Sequence, residues 1–486
     1  MDWIIIIAYS FALLIICIFS FEQLHLAITY RKHMGSEVEI PLINFPKVTV
    51  QLPVYNEKYV IERLINSICE LDYPKDKLEV QVLDDSTDES AVLAAKCVDK
   101  WKSRGINILH IRRPDRTGFK AGALQYGMKK ALGDYIAIFD ADFLPKKDFL
   151  LKTLPAFKDG IGMVQTRWGH INQDYSILTR MQAFGLNAHF TVEQKGRNAS
   201  GKFMNFNGTA GIWDKRCIVD AGGWEHDTLT EDLDLSYRAQ LKGWKFVYME
   251  DVISPAELPM IVTAIKSQQY RWNKGAAETA RKNFWKIIKS KLRLKVKIHA
   301  LLHLFNSSVF LFLMVGSILS VPLLFVKDSR PDLRLVFDGA SIFILGFLAM
   351  MIFYWIASKA SQENFSPKYY FTHFPVFLTF TMGLALHNAI AVTEGYLGIK
   401  TPFIRTPKFN IQHKGEIWSG NAYLKNSFSW ITICEGLLAV YFAYGIVSGI
   451  QLGDYGLILF HLMLAIGFGS VFVMTVKPIP SNVAAG

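Results

Sequence analysis

The stretch Tyr135-Ile-Ala-Ile-Phe-Asp-Ala-Asp142 decides the fold, because an apolar run typical of a buried strand ends in two carboxylates. Two earlier apolar runs follow the same plan: residues 48–55 end in a turn, and residues 78–83 are followed by Asp84-Asp85. Ligands bind beyond the carboxyl ends of the strands in open parallel sheets. We therefore expect the polar residues at these three strand ends to lie together at one edge of one sheet.

Helical stretches separate these runs. The predicted helices lie at 58–70, 89–103 and 119–132, and a further strand lies at 106–111. Strands that alternate with helices indicate βαβ units, and hence an α/β domain with a largely parallel, Rossmann-like sheet. The sequence contains neither Gly-x-Gly-x-x-Gly nor Gly-Lys-Ser/Thr, so it lacks the phosphate loops of dinucleotide-binding and P-loop proteins.

The order of elements becomes less regular after Asp142. We predict a strand at 161–168, a long helix at 176–194, a polar loop at 195–202, a helix at 231–241 and a strand at 244–249. Together with the earlier units, these elements predict one soluble domain over residues 45–280.

The composition is that of a membrane protein, with 51% hydrophobic and 20% charged residues among 486. A first apolar segment at 1–30 is long enough to cross a bilayer, and no small-residue cleavage site follows it. Arg31, Lys32 and Lys47 come directly after this segment. The positive-inside rule therefore predicts that the soluble domain lies in the cytoplasm.

The last third, 299–480, is predicted to be a transmembrane domain. Candidate spans lie at 299–326, 336–357, 369–395, 428–449 and 453–476. The linker 396–427 is strongly basic and should be cytoplasmic, whereas three full spans after a cytoplasmic domain would place it outside. We therefore expect 369–395 to be an interfacial or re-entrant element that does not cross the membrane.

Basic residues alternate with apolar ones at 281–298, just before the first of these spans. This pattern predicts an amphipathic interfacial helix on an anionic lipid surface. The net charge of +11 does not indicate nucleic acid, because no nucleic-acid-binding module accompanies it. The five cysteines are scattered and contain no Cys-x-x-Cys pair, which argues against a zinc site or a disulfide framework.

The acidic pairs have the chemistry needed for transfer from a nucleotide sugar. Asp140 and Asp142 offer hard oxygen ligands, so Mg²⁺ or Mn²⁺ bound there would neutralise a diphosphate leaving group. Lys120 opens a helix where a cation and backbone N–H groups could meet phosphate. The alternative roles are structural: Asp-x-Asp in an ordinary loop, Asp84-Asp85 beside a helix cap, and Lys120 as surface charge.

Further candidates lie at the start of the helix at 231 and in a later Gln-x-x-Arg-Trp box. Thr230 is a plausible helix cap, and Asp232 is the candidate general base. The glycines of 206–213 would let an acceptor approach the backbone closely. Arg271 offers a fork for diphosphate, and the Trp272 indole could stack on a sugar ring, although such a dipeptide also packs in ordinary helices.

Seven phrases together resemble one family. They are Gln51-Leu-Pro-Val-Tyr-Asn-Glu57, Gln81-Val-Leu-Asp-Asp-Ser-Thr-Asp88, Lys120-Ala-Gly-Ala-Leu124, Ala137-Ile-Phe-Asp-Ala-Asp-Phe143, His189-Phe-Thr-Val-Glu-Gln194, Phe206-Asn-Gly-Thr-Ala-Gly-Ile-Trp213 and Leu241-Lys-Gly-Trp244. Over about residues 47–280 the chain resembles the inverting, membrane-bound family 2 glycosyltransferases. It looks most similar to the plant cellulose-synthase-like A and C proteins, which make mannan and xyloglucan backbones.

The resemblance implies a GT-A fold and a role for each matching residue. The nucleoside and diphosphate of the donor would meet Tyr55, Glu57, Asp84, Asp85, Lys120, Asp140 and Arg271, with Asp140 and Asp142 also holding the metal. Catalysis would fall to Asp232, Glu231 and Asp142, and the acceptor would contact Gly208, Thr209, Gln268 and Trp272. The phrase Phe403-Ile-Arg-Thr-Pro-Lys408 resembles a gating loop, which would place a lid within 396–427.

These implications leave three hypotheses. The first is a processive polymerase that extends a β-linked, expectedly β-1,4, glycan from UDP-glucose or GDP-mannose and extrudes it through its own spans. The second is transfer of one sugar to a lipid, as in ceramide glucosyltransferases. The third, a non-enzymatic scaffold or transporter, predicts the loss of an acid or of the Arg-Trp box, and none is missing.

One phrase departs from the plant proteins. Thr230-Glu-Asp232 stands where they tend to read Val-Glu-Asp, and in this respect the chain looks more like cellulose and hyaluronan synthases. The donor sugar is therefore left open by the resemblance. A plasma or inner membrane and the Golgi membrane are equally compatible with the sequence.

Overall fold

A seven-stranded mixed sheet forms the centre of the soluble domain in the computed structural model, which describes residues 2–35, 41–362, 365–401, 405–411, 418–419, 428–477 and 482–483. The strands are β1 (Val48–Val54), β2 (Leu78–Asp84), β3 (Asn107–Ile111), β4 (Tyr135–Ile138), β5 (Ile161–His170), β6 (Gly211–Asp214) and β7 (Lys245–Ala256). Their order is β3-β2-β1-β4-β6-β5-β7. All neighbours are parallel except β6, which is antiparallel to β4 and β5. The predicted α/β domain with a largely parallel sheet is confirmed.

Strand register brings the predicted polar residues to one edge. Val54 pairs with Asp84 at the end of β1 and β2, and Gln51 pairs with Ile138 at the end of β4. Side chains alternate between the two faces of a strand, so Ala137 and Phe139 join one hydrophobic core while Ile136 and Ile138 join the other. The sheet is thus buried on both faces, as expected when helices cover both sides.

Helices cover the sheet on both faces. They are α2 (Ile61–Cys69), α3 (Ser90–Lys102), α4 (Phe119–Met128), α5 (Phe149–Thr153), α6 (Ile177–Ala188), α7 (Gln194–Ala199), α8 (Lys215–Asp220), α9 (Glu231–Leu241) and α10 (Val262–Lys289). The first strands and helices were predicted with end positions close to those observed. The N-terminal helix, here called the first apolar helix, spans Asp2–Lys32.

The predicted polar loop at 195–202 is wrong. Residues Gln194–Ala199 form α7, which a π-helical turn at His189–Glu193 joins to α6. Arg197 is buried because its guanidinium pairs with Glu193 at 3.0 Å. The Asn198 side chain donates to the carbonyl of Phe246 in β7. A polar segment can be buried when each charge has such a partner, and the sequence does not reveal those partners.

The C-terminal third is helical. Its helices are α11 (Leu294–Leu304), α12 (Val309–Ser329), α13 (Arg334–Ala340), α14 (Ile344–Ser361), α15 (Pro367–Gly383), α16 (Ala385–Leu397), α17 (Trp430–Gln451) and α18 (Ile458–Val476). Five helical segments of the described chain are long and apolar enough to cross a membrane: Asp2–Lys32, Asn306–Ser329, Pro331–Ser361, Trp430–Gln451 and Ile458–Val476. The chain is therefore a membrane protein with several candidate spans.

The segment predicted not to cross is bent. Helices α15 and α16 meet at an angle of 51°, as in a broken span or a re-entrant element. Helix α15 packs along α6 and α18, whereas α16 packs along α10, so both contact the soluble domain. The interfacial placement of 369–395 stays a prediction.

The region 281–298 is not one helix, contrary to the sequence prediction. Helix α10 ends at Lys289, the chain is extended at Ser290 and Arg293, and α11 begins at Leu294. Helix α11 packs on the soluble domain through the Tyr237 hydroxyl, which donates to the Ala300 carbonyl at 3.0 Å. The span predicted from residue 299 consequently begins only at Asn306.

Candidate active site

A cavity of about 220 Å³ lies beyond the carboxyl ends of β1, β2 and β4. It collects all but two of the residues predicted from the sequence: Tyr55, Glu57, Asp85, Lys120, Asp140, Asp142, Gly208, Glu231, Asp232, Gln268, Arg271 and Trp272. These residues come from the strand ends, from the loop before β6, from the starts of α4 and α9, and from the first half of α10. Residues more than 200 positions apart therefore share one chamber.

Asp84 and Thr209 lie behind the cavity wall instead of lining it. Burial acts to raise the pKa of Asp84, but hydrogen bonds from His110 and from Ser86 hold this pKa below its usual value. Thr209 is fully buried, and its hydroxyl accepts the Asp140 N–H at 2.9 Å. In the structure both residues bond the backbone that carries the lining residues, and their predicted contacts with donor and acceptor stay predictions.

Two arginines that the sequence interpretation missed contact residues on the side of the cavity that contains Tyr55. The Arg113 guanidinium clamps both oxygens of Asp85 at 2.7 and 2.6 Å. Arg116 lies over the Tyr55 ring, 3.3 Å from its centroid. The stacked guanidinium and the clamped carboxylate give this side of the cavity a partly aromatic wall. Only the general abundance of arginine between β3 and α4 could have indicated these contacts.

Lys120 connects two parts of the predicted site. Its ammonium donates to Asp140 Oδ1 at 2.6 Å and to the Gly208 carbonyl at 2.9 Å. Burial acts to lower the pKa of Lys120, but the attraction of Asp140 and Glu231 raises it above the usual value. Lys120 is therefore a fixed cation at the floor of the cavity.

Asp232 and Glu231 enter from the N-terminus of α9. Burial and the neighbouring Glu231 charge raise the pKa of Asp232 to about 7, and burial likewise raises the pKa of Glu231. Gly208 has a φ of +81°, and a Cβ there would come within 3.1 Å of Asp232 Oδ2. Thr230 occupies the predicted cap position without a side-chain capping bond. Gly208 has no side chain that would crowd Asp232. With a pKa near 7, the Asp232 carboxylate can accept a proton at neutral pH.

Helix α10 supplies the opposite wall with Gln268, Arg271 and Trp272. The Arg271 guanidinium donates to the Thr406 hydroxyl at 2.7 Å. Burial lowers the pKa of Arg271, and the negative charges of the nearby Asp140 and Glu231 partly counteract this decrease. Arg271 therefore remains a cation that faces the acidic floor.

The described segment 405–411, here called the covering segment, closes the cavity with cations. Arg405 pairs with Glu57 at 2.8 Å and Lys408 with Asp142 at 2.6 Å. Of the predicted gating phrase, residues 403–404 lie outside the described residues, whereas 405–408 lie over the cavity. That this segment acts as a lid stays a prediction.

Glu257 anchors the covering segment and was missed by the sequence interpretation. Its two carboxylate oxygens accept the backbone N–H groups of Phe409 and Asn410 at 2.6 and 2.9 Å. Burial raises the pKa of Glu257 to about 7, and burial raises that of Glu57 to about 7 as well. Both ends of the covering segment are thus held by carboxylates that titrate near neutral pH.

The charge balance of the wall fits a divalent cation. Among the described lining residues, the carboxylates are Glu57, Asp85, Asp140, Asp142, Glu231, Asp232 and Glu257, and the cations are Arg116, Lys120, Arg271, Arg405 and Lys408. Carboxylates outnumber cations among these lining residues. Lys120 donates to one oxygen of Asp140, and Lys408 donates to one oxygen of Asp142. A metal ion could compete with both lysines for these oxygens. The donor set therefore suits Mg²⁺ or Mn²⁺.

Comparison with known proteins gives two matching family profiles. The profile described as "Glycosyl transferase family 2" matches residues 49–219, and "Glycosyl transferase family group 2" matches residues 135–358. Both matched ranges include Asp140, Asp142 and Gly208. The first also covers Tyr55 to Lys120, and the second extends through Arg271 and Trp272.

Curated plant proteins are similar to the soluble domain. "Glucomannan 4-beta-mannosyltransferase 1" of Oryza sativa subsp. japonica is 44% identical over 269 residues, covering 54% of this chain and 51% of the relative. "Glucomannan 4-beta-mannosyltransferase 2" of Arabidopsis thaliana is 42% identical over 280 residues, with coverages of 56% and 50%. The chain spans about half the length of the curated relatives it matches.

One solved structure supports the fold. It is the "Mannosyltransferase PcManGT from Pyrobaculum calidifontis in complex with GDP-Man and Mn2+", with a TM-score of 0.53 and 20% sequence identity. The match covers 82% of this chain and 99% of that one. At this identity the likeness concerns the fold alone.

Proposed function

We propose that this chain, which contains a glycosyltransferase family 2 domain of the GT-A fold, is a membrane-bound hexosyltransferase that builds a β-linked glycan from a nucleotide sugar. The resemblance to the plant mannan-synthase group is confirmed by its glucomannan mannosyltransferase relatives. The names of these mannosyltransferase relatives support GDP-mannose over UDP-glucose as the proposed donor.

The observation that carries this proposal is the position of Asp232. Its carboxylate has a pKa raised to about 7 and lies beside Gly208, whose carbonyl bonds the same lysine as Asp140. A proton acceptor thus stands next to the carboxylates proposed to face the diphosphate. Transfer of a sugar to a hydroxyl group needs these two functions in one chamber.

In the proposed reaction, Asp232 accepts the proton of an acceptor hydroxyl as its oxygen attacks the anomeric carbon. The bond from that carbon to the diphosphate oxygen breaks on the opposite face, so the configuration inverts and the α-linked donor gives a β linkage. The nucleoside diphosphate leaves with the electron pair, and Lys120 and Arg271 stabilise its charge. Asp140 and Asp142 would hold Mg²⁺ or Mn²⁺, which supplies charge neutralisation to the leaving group.

The acceptor is proposed to enter from the α10 side. Trp272 offers an indole face for a sugar ring, and Gln268, one helical turn earlier, offers hydrogen bonds. A polymerase would keep its product in this position and pass it on between the candidate spans. The cytosolic orientation of the domain and the extrusion of the product are part of this proposal.

The proposal can be tested with purified protein in lipid nanodiscs. Radiolabelled GDP-mannose and UDP-glucose are offered separately with Mn²⁺, with Mg²⁺ or with EDTA. We expect labelled polymer from one donor, dependent on metal and lost in Asp232→Asn. The matched control is Asp99→Asn, which changes an exposed carboxylate on α3 and should retain activity. Label found solely in the organic phase would establish a lipid acceptor, and no turnover from either donor would contradict the proposal.

A further inference from the structure

The break between α10 and α11 presents an exposed surface of mixed character. We call residues 285–298 the basic elbow. Four large apolar side chains are exposed along it: Trp285 (63%), Ile288 (38%), Leu294 (71%) and Ile298 (47%). Leu294 and Ile298 are one turn apart on α11 and therefore lie on one face. An exposed apolar strip of this kind indicates a contact outside the chain.

Cations surround this strip. Lys286, Lys289, Lys291, Arg293 and Lys295 are all exposed, and none of them takes part in an ion pair within the described part of the chain. The sequence contains no aspartate or glutamate between Glu278 and Asp328. The partner of this surface is therefore expected to combine negative charge with an apolar interior.

The position of the elbow narrows the choice of partner. The candidate span Asn306–Ser329 begins directly after α11, and the other face of α11 packs on the soluble domain through Tyr237 and Ala300. The elbow consequently lies where the soluble domain meets the membrane-spanning helices. Tryptophan and basic side chains both favour the headgroup region of a bilayer.

We propose that the basic elbow binds anionic phospholipid in the leaflet next to the glycosyltransferase domain, and that this contact orients α10. Helix α10 is continuous from Val262 to Lys289, so it carries Arg271 and Trp272 in its first half and Trp285 near its end. A bilayer that holds one end of a rigid helix also fixes the tilt of the other. The lipid contact is independent of the proposed reaction, whereas its effect on activity rests on the proposed function.

The lipid contact is tested by fluorescence quenching in nanodiscs. Brominated phosphatidylglycerol or brominated phosphatidylcholine is included at the same fraction, and the signal of Trp285→Phe is subtracted to isolate Trp285. We expect quenching of Trp285 to be at least twofold stronger with the anionic brominated lipid. Equal quenching by both lipids, or none, would overturn the proposal without any need for turnover.

A charge-neutralised variant provides the second measurement. In Lys289→Gln/Lys291→Gln/Arg293→Gln/Lys295→Gln, the preference of Trp285 for the anionic lipid should disappear. The matched control neutralises four exposed lysines elsewhere on the soluble domain: Lys102, Lys129, Lys158 and Lys245. Sugar incorporation should rise several-fold with phosphatidylglycerol in the wild type and the control, and stay constant in the elbow variant. An equal rise in all three proteins would overturn the coupling to α10.

Discussion

The two walls of the cavity are built in different ways. The sheet wall takes its carboxylates from strand ends, where other side chains fix them: the Thr209 hydroxyl accepts the Asp140 N–H, and the Arg113 guanidinium donates to Asp85. The covering segment contributes cations that pair with the acids they face, as Lys408 does with Asp142. Because a charged ligand can compete for such pairs, we expect the sheet wall to stay fixed and the covering segment to respond to ligands.

Three carboxylates of the cavity share one electrostatic feature. Glu57, Asp232 and Glu257 all have pKa values raised to about 7, chiefly by burial. The covering cations favour the ionised forms of Glu57 and Glu257 and so act against this rise in pKa. The comparison therefore predicts distinct effects of substitutions in the two walls.

The largest effect should come from the proposed base, Asp232 in the first turn of α9. Asp232→Asn should lower kcat about 10³-fold, within the range seen for loss of a general base, with little change in donor KM. Initial rates at varied donor concentration measure this. An activity loss below tenfold would show that another group accepts the proton.

The same variant should be more stable than the wild type at high pH. Since the pKa of Asp232 is raised in the folded state, its contribution to stability is present below the unfolded-state pKa and is lost as the pH rises through about 7. Asp232→Asn should therefore raise the thermal midpoint relative to wild type more at pH 8.5 than at pH 5. A thermal scan of both proteins at the two pH values checks this.

A smaller effect is expected from the backbone support of the sheet wall. Thr209→Val removes the hydroxyl that accepts the Asp140 N–H and leaves that buried donor unpaired, which costs roughly 1–3 kcal/mol. We expect activity to fall about 10- to 100-fold, on the basis of this energy. Thr209→Ser keeps the hydroxyl and should retain most of the activity. Equal loss in both variants would contradict this role.

Sequence patterns predicted the sheet wall well, because strands that end in acids are a local signal. These patterns could not distinguish Asp84 from Asp85. Adjacent side chains point to opposite faces of a strand, and the exact strand end determines which carboxylate faces the cavity. The sequence patterns missed Glu257 and Arg113 for a different reason. Their partners lie 152 residues and 28 residues away along the chain, and no spacing rule connects them.

The covering segment should show the smallest and most reversible effect. Glu257→Ala removes the acceptor of the Phe409 and Asn410 amides, so hydrogen exchange at these positions should accelerate at least tenfold. Donor KM should change only about three- to tenfold, because no catalytic group is lost. Glu257→Gln keeps one acceptor oxygen and should lie between wild type and alanine. Unchanged exchange in Glu257→Ala would show that the segment is held elsewhere.

The pH dependence of sugar incorporation from GDP-mannose tests the central claim most directly. Asp232 must be deprotonated to act, so kcat/KM of the wild type should fall about tenfold per pH unit below a pH near 7. The residual rate of Asp232→Asn should lack this limb, while Asp99→Asn should reproduce it. A limb that persists in Asp232→Asn, or a wild-type profile that is flat from pH 5.5 to 8.5, would contradict the assignment of Asp232 as the base.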